Sequence, residues 1–149
     1  MTGMTIGEAA RTANVSVETV RFYERRQLIQ QPPKPRFGGF RRYPEDTVRR
    51  IRFIRQAQTL GFSLREAAEL LKLRDDAETD AGDFQVRAQE KLKDVEIRIA
   101  QMQEISRVLR RLLEVCPGQG PLTGCSILGA LEADEPATIE PTQSIGDSR

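Results

Sequence analysis

A chain of 149 residues has room for one compact domain plus an appendage; with 30% charged residues and no run of about 18 apolar ones, it reads as soluble and cytosolic, without a membrane span. Met1 to Thr5 carry no basic segment with an apolar core behind it, which argues against a signal peptide. The formal net charge of +1 hides a division: residues 1–74 hold 15 Lys/Arg against 7 Asp/Glu, whereas residues 75–149 hold 8 against 15, so the first half is the one suited to a polyanion.

In chain order, Thr5 caps a first helix and Glu8, three residues on, completes a capping box, with Ile6, Ala9, Ala10 and Ala13 as its apolar face. Asn14-Val15 turns the chain and Ser16 caps a second helix. Val17, Val20 and Leu28 are expected to point inward from it, leaving Arg21, Tyr23, Arg25 and Arg26 outside. Two short helices, a tight turn and a basic second helix fit a helix-turn-helix.

Pro32-Pro33-Lys34-Pro35 ends that unit. In Arg36-Phe37-Gly38-Gly39-Phe40-Arg41-Arg42-Tyr43, aromatics flank a Gly-Gly turn, the pattern of a small hairpin, or wing, carrying Arg36, Arg41 and Arg42 for backbone phosphates. No third Gly or following Lys supports a nucleotide loop. The next helix is expected over Glu45 to Leu60, with Arg49, Arg50, Arg52 and Arg55 as a uniformly positive set. Gly61 closes it, and Ser63 with Glu66 boxes the start of another helix, which places Arg65 near its beginning as a further phosphate contact.

Asp75 to Thr79 reads as an acidic linker whose carboxylates favour the positive end of the following helix. From Phe84 to Val115 the chain reads as one helix of roughly 48 Å at ~1.5 Å per residue, closed by Pro117-Gly118. Ala88, Leu92, Val95, Ile99, Met102, Ser106, Leu109 and Leu113 recur at alternating spacings of four and three, a coiled-coil seam whose best partner is a second copy. Cys116 and Cys125 follow on a Gly/Pro-rich loop, separated by eight residues, and Ser126 to Leu131 can make a short apolar helical turn. From Glu132 onward the composition is that of a disordered tail.

Two thiolates on a loop suit soft ions, Hg(II), Cu(I) or Ag(I), or Zn and Cd with more ligands; a redox disulfide is the alternative use. The absence of His removes Cys–His catalysis and most catalytic zinc sites, and no nucleophile–base pair or cofactor loop is visible, so the chain is not read as an enzyme.

Thr5-Ile6-Gly7, Val20-Arg21-Phe22-Tyr23, Arg41-Arg42-Tyr43 and Gly61-Phe62-Ser63-Leu64 resemble, in order and spacing, the DNA-binding head of the MerR family of bacterial transcription regulators, and the resemblance spans residues 4 to 131. Glu69-Leu70-Leu71 with Lys91-Leu92-Lys93-Asp94-Val95 is most similar to its mercury-sensing branch. The resemblance implies a mainly α fold: a winged helix-turn-helix head (1–74), the linker (75–79), an antiparallel coiled-coil dimerisation helix (80–115), a cysteine-bearing effector loop with a short helix (116–131) and the tail (132–149).

It also implies a homodimer acting with RNA polymerase at double-stranded promoter DNA, repressing and, once its effector is bound, activating by distorting that DNA. Ser16, Thr19, Arg21, Tyr23, Arg25, Arg36, Arg41, Arg42, Tyr43 and Arg65 become its DNA-facing set, with Tyr43 also packing the wing on the head. Cys116 and Cys125 become its metal ligands, for Hg(II) first and Cu(I), Ag(I) or Au(I) second. The family's sensors of divalent ions carry a further Cys at the start of the long helix, where this chain has Ala81, or Thr79 when aligned from the linker side, so a three-thiolate site does not form in the usual way. Rival readings are a family member answering to an organic or redox signal, and a coiled-coil adaptor whose basic head binds acidic protein.

Overall fold

The computed structural model describes residues 3–134, and among these the chain is mainly α-helical. The helices are α1 (Ile6–Thr12), α2 (Val17–Arg25), α3 (Glu45–Thr59), α4 (Leu64–Asp75), α5 (Ala81–Val115) and α6 (Ser126–Glu132), with one 3-10 turn at Leu122–Gly124. They group into two compact units, one running to Ala88 and one from Gln89 onward. Among the described residues no helix is long and apolar enough to cross a membrane.

The starts of the head helices are those the capping pattern predicts. Thr5 and Glu8 exchange hydrogen bonds at α1, as do Ser63 and Glu66 at α4, while the Ser16 hydroxyl accepts from the Thr19 amide at α2. α3 starts after Pro44 without a side-chain cap, but Glu45 and Asp46 sit in its first turn, where the helix dipole favours them.

The ends of the first three helices share one geometry. At α1, α2 and α3 the residue after the cap lies in the left-handed region (Asn14 φ 59°, Gln27 φ 60°, Gly61 φ 95°). The amide beyond it then reaches back across the last turn: Val15 to Ala10 O, Leu28 to Tyr23 O and Phe62 to Ala57 O, at 2.9–3.0 Å. Satisfying orphan carbonyls this way turns the chain sharply and folds an apolar residue under each helix end.

One core joins α1 to α4. Ala9, Ala10, Val20, Val48, Ile51, Ile54, Ala67 and Leu71 are buried in it, and Phe84 on the first turns of α5 packs against it. α5 spans 35 residues, about 52 Å, starting three residues ahead of the expected Phe84. Asp80 and Asp83 explain the earlier start, because each carboxylate accepts the other's backbone amide at 3.0 and 3.3 Å. Asp75, expected in the linker, closes α4 and pairs with Arg50. Glu132, expected to open the tail, closes α6, and the tail from residue 135 lies outside the described residues.

The wing departs from expectation. No β ladder forms between residues 30 and 43 among the described residues, where a hairpin is predicted; the chain makes an open turn around Gly38-Gly39. Three of the four residues on the incoming arm, Pro32, Pro33 and Pro35, have no N–H to donate to a ladder, which accounts for its absence. Tyr43 pairs instead with the N-terminal arm, its N and O bonding Met4 O and N at 2.7 and 2.9 Å. Gly3 allows this approach: a Cβ there would lie 2.9 Å from Arg42 Cβ, and its φ is 150°.

Candidate nucleic-acid interface and thiol pair

The basic head residues divide into those that serve the fold and those left to solvent. On α2, Arg21 and Arg25 are exposed, Ser16 is spent as the cap, and Thr19 is half-buried with its hydroxyl 2.9 Å from Ser16 Oγ. Arg36 and Arg42 are exposed beside the Gly-Gly turn, and Arg65 is exposed in the first turn of α4. Arg41 is half-buried and donates Nη1 to Pro32 O at 3.0 Å, which ties the outgoing arm of the turn to the incoming one.

Tyr23 is not on the outer face. It is 3% exposed, and its hydroxyl donates to Gln58 Oε1 at 3.5 Å. It lies three residues after Val20 on the same face of α2, a spacing visible in the sequence, and the backbone bond from Leu28 draws the chain beneath it. Tyr43 is 2% exposed, as packing of the wing segment on the head requires, and its hydroxyl donates to Glu24 Oε2 at 2.6 Å. Burial first, and the bond to Glu24 second, push its pKa above the ordinary value, so the hydroxyl is held as a donor inside the head.

Two of the four arginines expected as one positive face of α3 are anchors. Arg50 donates Nε and Nη2 to Leu28 O at 3.3 and 3.2 Å, and Nη1 to both Asp75 oxygens at 2.8 Å. Arg52 donates Nη2 to Thr12 O at 2.7 Å. Both bind carbonyls at or just beyond a helix end, where no i+4 amide arrives to satisfy them, a use that a count of charges does not reveal. Arg74 clamps Asp46 at 2.7 Å, and this bond holds the Asp46 carboxyl below the usual carboxylate range.

In the second unit, Cys116 follows α5 directly, and Cys125 is the N-cap of α6, its sulfur accepting from Leu128 N at 3.4 Å. Ser126 Oγ donates to Leu112 O at 2.7 Å and fastens α6 to the last turns of α5. The loop returns Cys125 toward Cys116, and both thiols are free and half-buried. The Leu128 amide, then the Ile127 amide and the Cys116 thiol, prevail over burial and hold the Cys125 thiol below its ordinary pKa. No group of three or more Cys, His, Asp or Glu is assembled for a metal among the described residues, so the thiols stand as a pair.

A helix-turn-helix head with exposed arginines on its second helix, followed by a long amphipathic helix, defines a DNA-binding transcription regulator. Residues 4–73 match the family described as MerR HTH family regulatory protein, and residues 48–112 match that described as MerR, DNA binding. Similar curated proteins include the mercuric resistance operon regulatory protein of Pseudomonas fluorescens, 42% identical over 129 residues, 87% of this chain and 88% of that protein. The HTH-type transcriptional regulator ZntR of Escherichia coli K12 is 43% identical, covering 85% and 91%.

Among solved structures, PbrR691 of Ralstonia metallidurans CH34 in complex with lead(II) has a TM-score of 0.75 at 32% identity, over 86% of this chain and 98% of that one. The dual-function MerR of Bacillus megaterium MB1 with mercury(II) has a TM-score of 0.68 at 34% identity, over 87% and 100%. The chain belongs to the MerR family of transcription regulators.

Proposed function

We propose that this chain is a homodimeric regulator in which Cys116 and Cys125 take up a soft thiophilic metal ion and the head passes the change to promoter DNA and the polymerase on it. The observation that carries the metal reading is the thiol pair itself: the loop after α5 returns Cys125, the cap of α6, toward Cys116, and both thiols are free and half-buried. Hg(II) accepts two thiolates, whereas Zn(II) and Cd(II) want about four donors. The relatives named for mercuric resistance and the neighbours solved with mercury(II) and lead(II) support a metal effector. The two-donor set also favours Cu(I), Ag(I) or Au(I) as a second reading, since these too take linear dithiolate ligation.

Dimerisation rests on α5. Leu92, Ile99, Met102, Leu109 and Leu113 of the seam are exposed along it, an apolar stripe that a second copy would cover. For the DNA, Arg21 and Arg25 on α2, Arg36 and Arg42 at the turn and Arg65 on α4 are the exposed cations that reach phosphates or base edges. In this reading Tyr23 and Tyr43 act from within the head by holding α2 and the turn in place.

The test is one titration. The reduced protein is mixed with Hg(II), Cu(I), Zn(II) or Cd(II) in the presence of a competing small thiol, and transcription from its own promoter is followed. Response to Hg(II) or Cu(I), lost in Cys116→Ser and in Cys125→Ser, is expected. Activation by zinc in a protein lacking both cysteines would overturn the metal site.

A further inference from the structure

The turn between the proline-rich arm and Tyr43 carries two aromatic side chains that the fold does not use. Phe37 is 96% exposed and Phe40 is 75% exposed. Between them Gly38 and Gly39 adopt φ of 85° and 102°, and a Cβ on either would meet nothing within 4 Å, so the tip stands in open space. No acid lies between residues 36 and 43, and the flanking Arg36 and Arg42 are exposed and make no ion pair among the described residues. Two largely solvated phenyl rings three residues apart are a standing cost, and rings so placed mark a contact surface.

We infer that Phe37 and Phe40 form an apolar wedge that packs into a groove of duplex DNA, against sugar faces or between base edges, while Arg36 and Arg42 hold the phosphates on either side. The inference rests on the DNA-binding reading of the head. Charge selects DNA as the occupant: cations bracket the rings with no carboxylate beside them, in a half of the chain with 15 Lys/Arg against 7 Asp/Glu. Apolar side chains set among arginines are the equipment with which proteins enter and deform a groove. Bare glycines at the tip let the backbone come close to the duplex, and the Arg41 bond to Pro32 O together with the Tyr43 pairing to Met4 steadies the base of the turn.

The chain contains no Trp, so Phe37→Trp places a single fluorescent reporter at the tip. The full-length variant is mixed with a duplex that the unaltered protein has selected from a random pool. Indole emission is expected to be quenched and shifted to the blue on duplex addition; emission that remains that of an exposed indole overturns the wedge. A shift that appears with rising protein concentration and no DNA also overturns it, because the rings then meet a second copy.

In parallel, the Phe37→Ala/Phe40→Ala double variant should bind the selected duplex about tenfold or more weakly with an unchanged salt slope, since losing an apolar contact releases no counterions. Arg42→Ala should instead flatten that slope. Affinity of the double variant within twofold of the unaltered protein counts against the wedge while leaving DNA binding in place. If the unaltered protein enriches no duplex, the DNA reading fails first and the wedge with it. Both rings are solvent-exposed, so melting temperatures of the variants should match the parent.

Discussion

The hydroxyl of Tyr43 donates to Glu24 Oε2 at 2.6 Å, joining the end of the Gly-Gly turn to α2, the helix that carries Arg21 and Arg25. Tyr43 is also the residue whose backbone pairs with Met4, so arm, turn and helix meet at one side chain. Tyr43→Phe keeps the ring in the core and removes only the donor, leaving a half-buried carboxylate short of a partner. A loss of about 1–2 kcal/mol is expected, measured by urea unfolding, with specific DNA binding weakened more than nonspecific binding. Unchanged stability and unchanged discrimination would show the link to be idle.

Both tyrosines of this chain should be silent in the ordinary phenol range. Burial raises Tyr23 against the opposing charge of Arg55, and burial with the Glu24 bond raises Tyr43. The folded protein therefore holds these protons more tightly than the unfolded chain. That stability is complete below about pH 10 and is lost as pH rises through the folded values. Tyrosinate absorbance should stay flat through pH 10 and rise together with alkaline unfolding. A separate rise near pH 10 while the helical circular dichroism persists would contradict the buried placement of both rings.

Arg50 and Arg55 lie on the same helix and should behave oppositely. Arg50→Ala strips the Leu28 carbonyl and the Asp75 carboxylate of their shared donor and should cost about 2 kcal/mol, read as a lower melting temperature. Arg55 is exposed, and Arg55→Ala should melt within error of the parent. Equal melting temperatures for the two variants would mean that the Arg50 anchor contributes nothing.

Gln27 is a non-glycine residue in the left-handed region at the end of α2. Gln27→Gly should raise stability by about 0.5–1 kcal/mol, since relief of backbone strain outweighs the added freedom of the unfolded chain. Thermal unfolding checks it, and a destabilised variant would mean that the side chain itself holds the turn.

On α5, Ile99→Asp should convert dimer to monomer in sedimentation at micromolar concentration, because each copy would bury a charge against apolar partners. A monomeric parent protein under the same conditions would remove the basis for the dimer. At the thiol pair, Ser replaces Cys125 as an acceptable cap, so Cys125→Ser should keep the helical signal of α6 while losing metal uptake. Ala81→Cys should tighten divalent binding if the second copy brings residue 81 to the pair, which mercury spectroscopy would report as three sulfurs in place of two.

Local chemistry made much of this molecule legible from sequence. Capping boxes at Thr5/Glu8 and Ser63/Glu66, the turn at Asn14 and the closure at Gly61 need only residues within a few positions of one another, so reading the chain in order suffices for them. The long helix is legible for the same reason, since its periodicity is local, and Cys116 and Cys125 are close enough in sequence for one loop to join them. What the sequence alone could not divide was the arginines and tyrosines. Arg49, Arg50, Arg52 and Arg55 look alike by type, yet Arg50 reaches Leu28 and Asp75, and Arg52 reaches Thr12, across 22 to 40 residues of chain. Tyr23 turned inward because the end of α2 folds Leu28 back beneath it, and the hairpin gave way because the prolines facing it have no amide to donate. Whether a charge or a hydroxyl meets solvent or a distant carbonyl depends on which helix ends pack beside it, and only tertiary packing decides that.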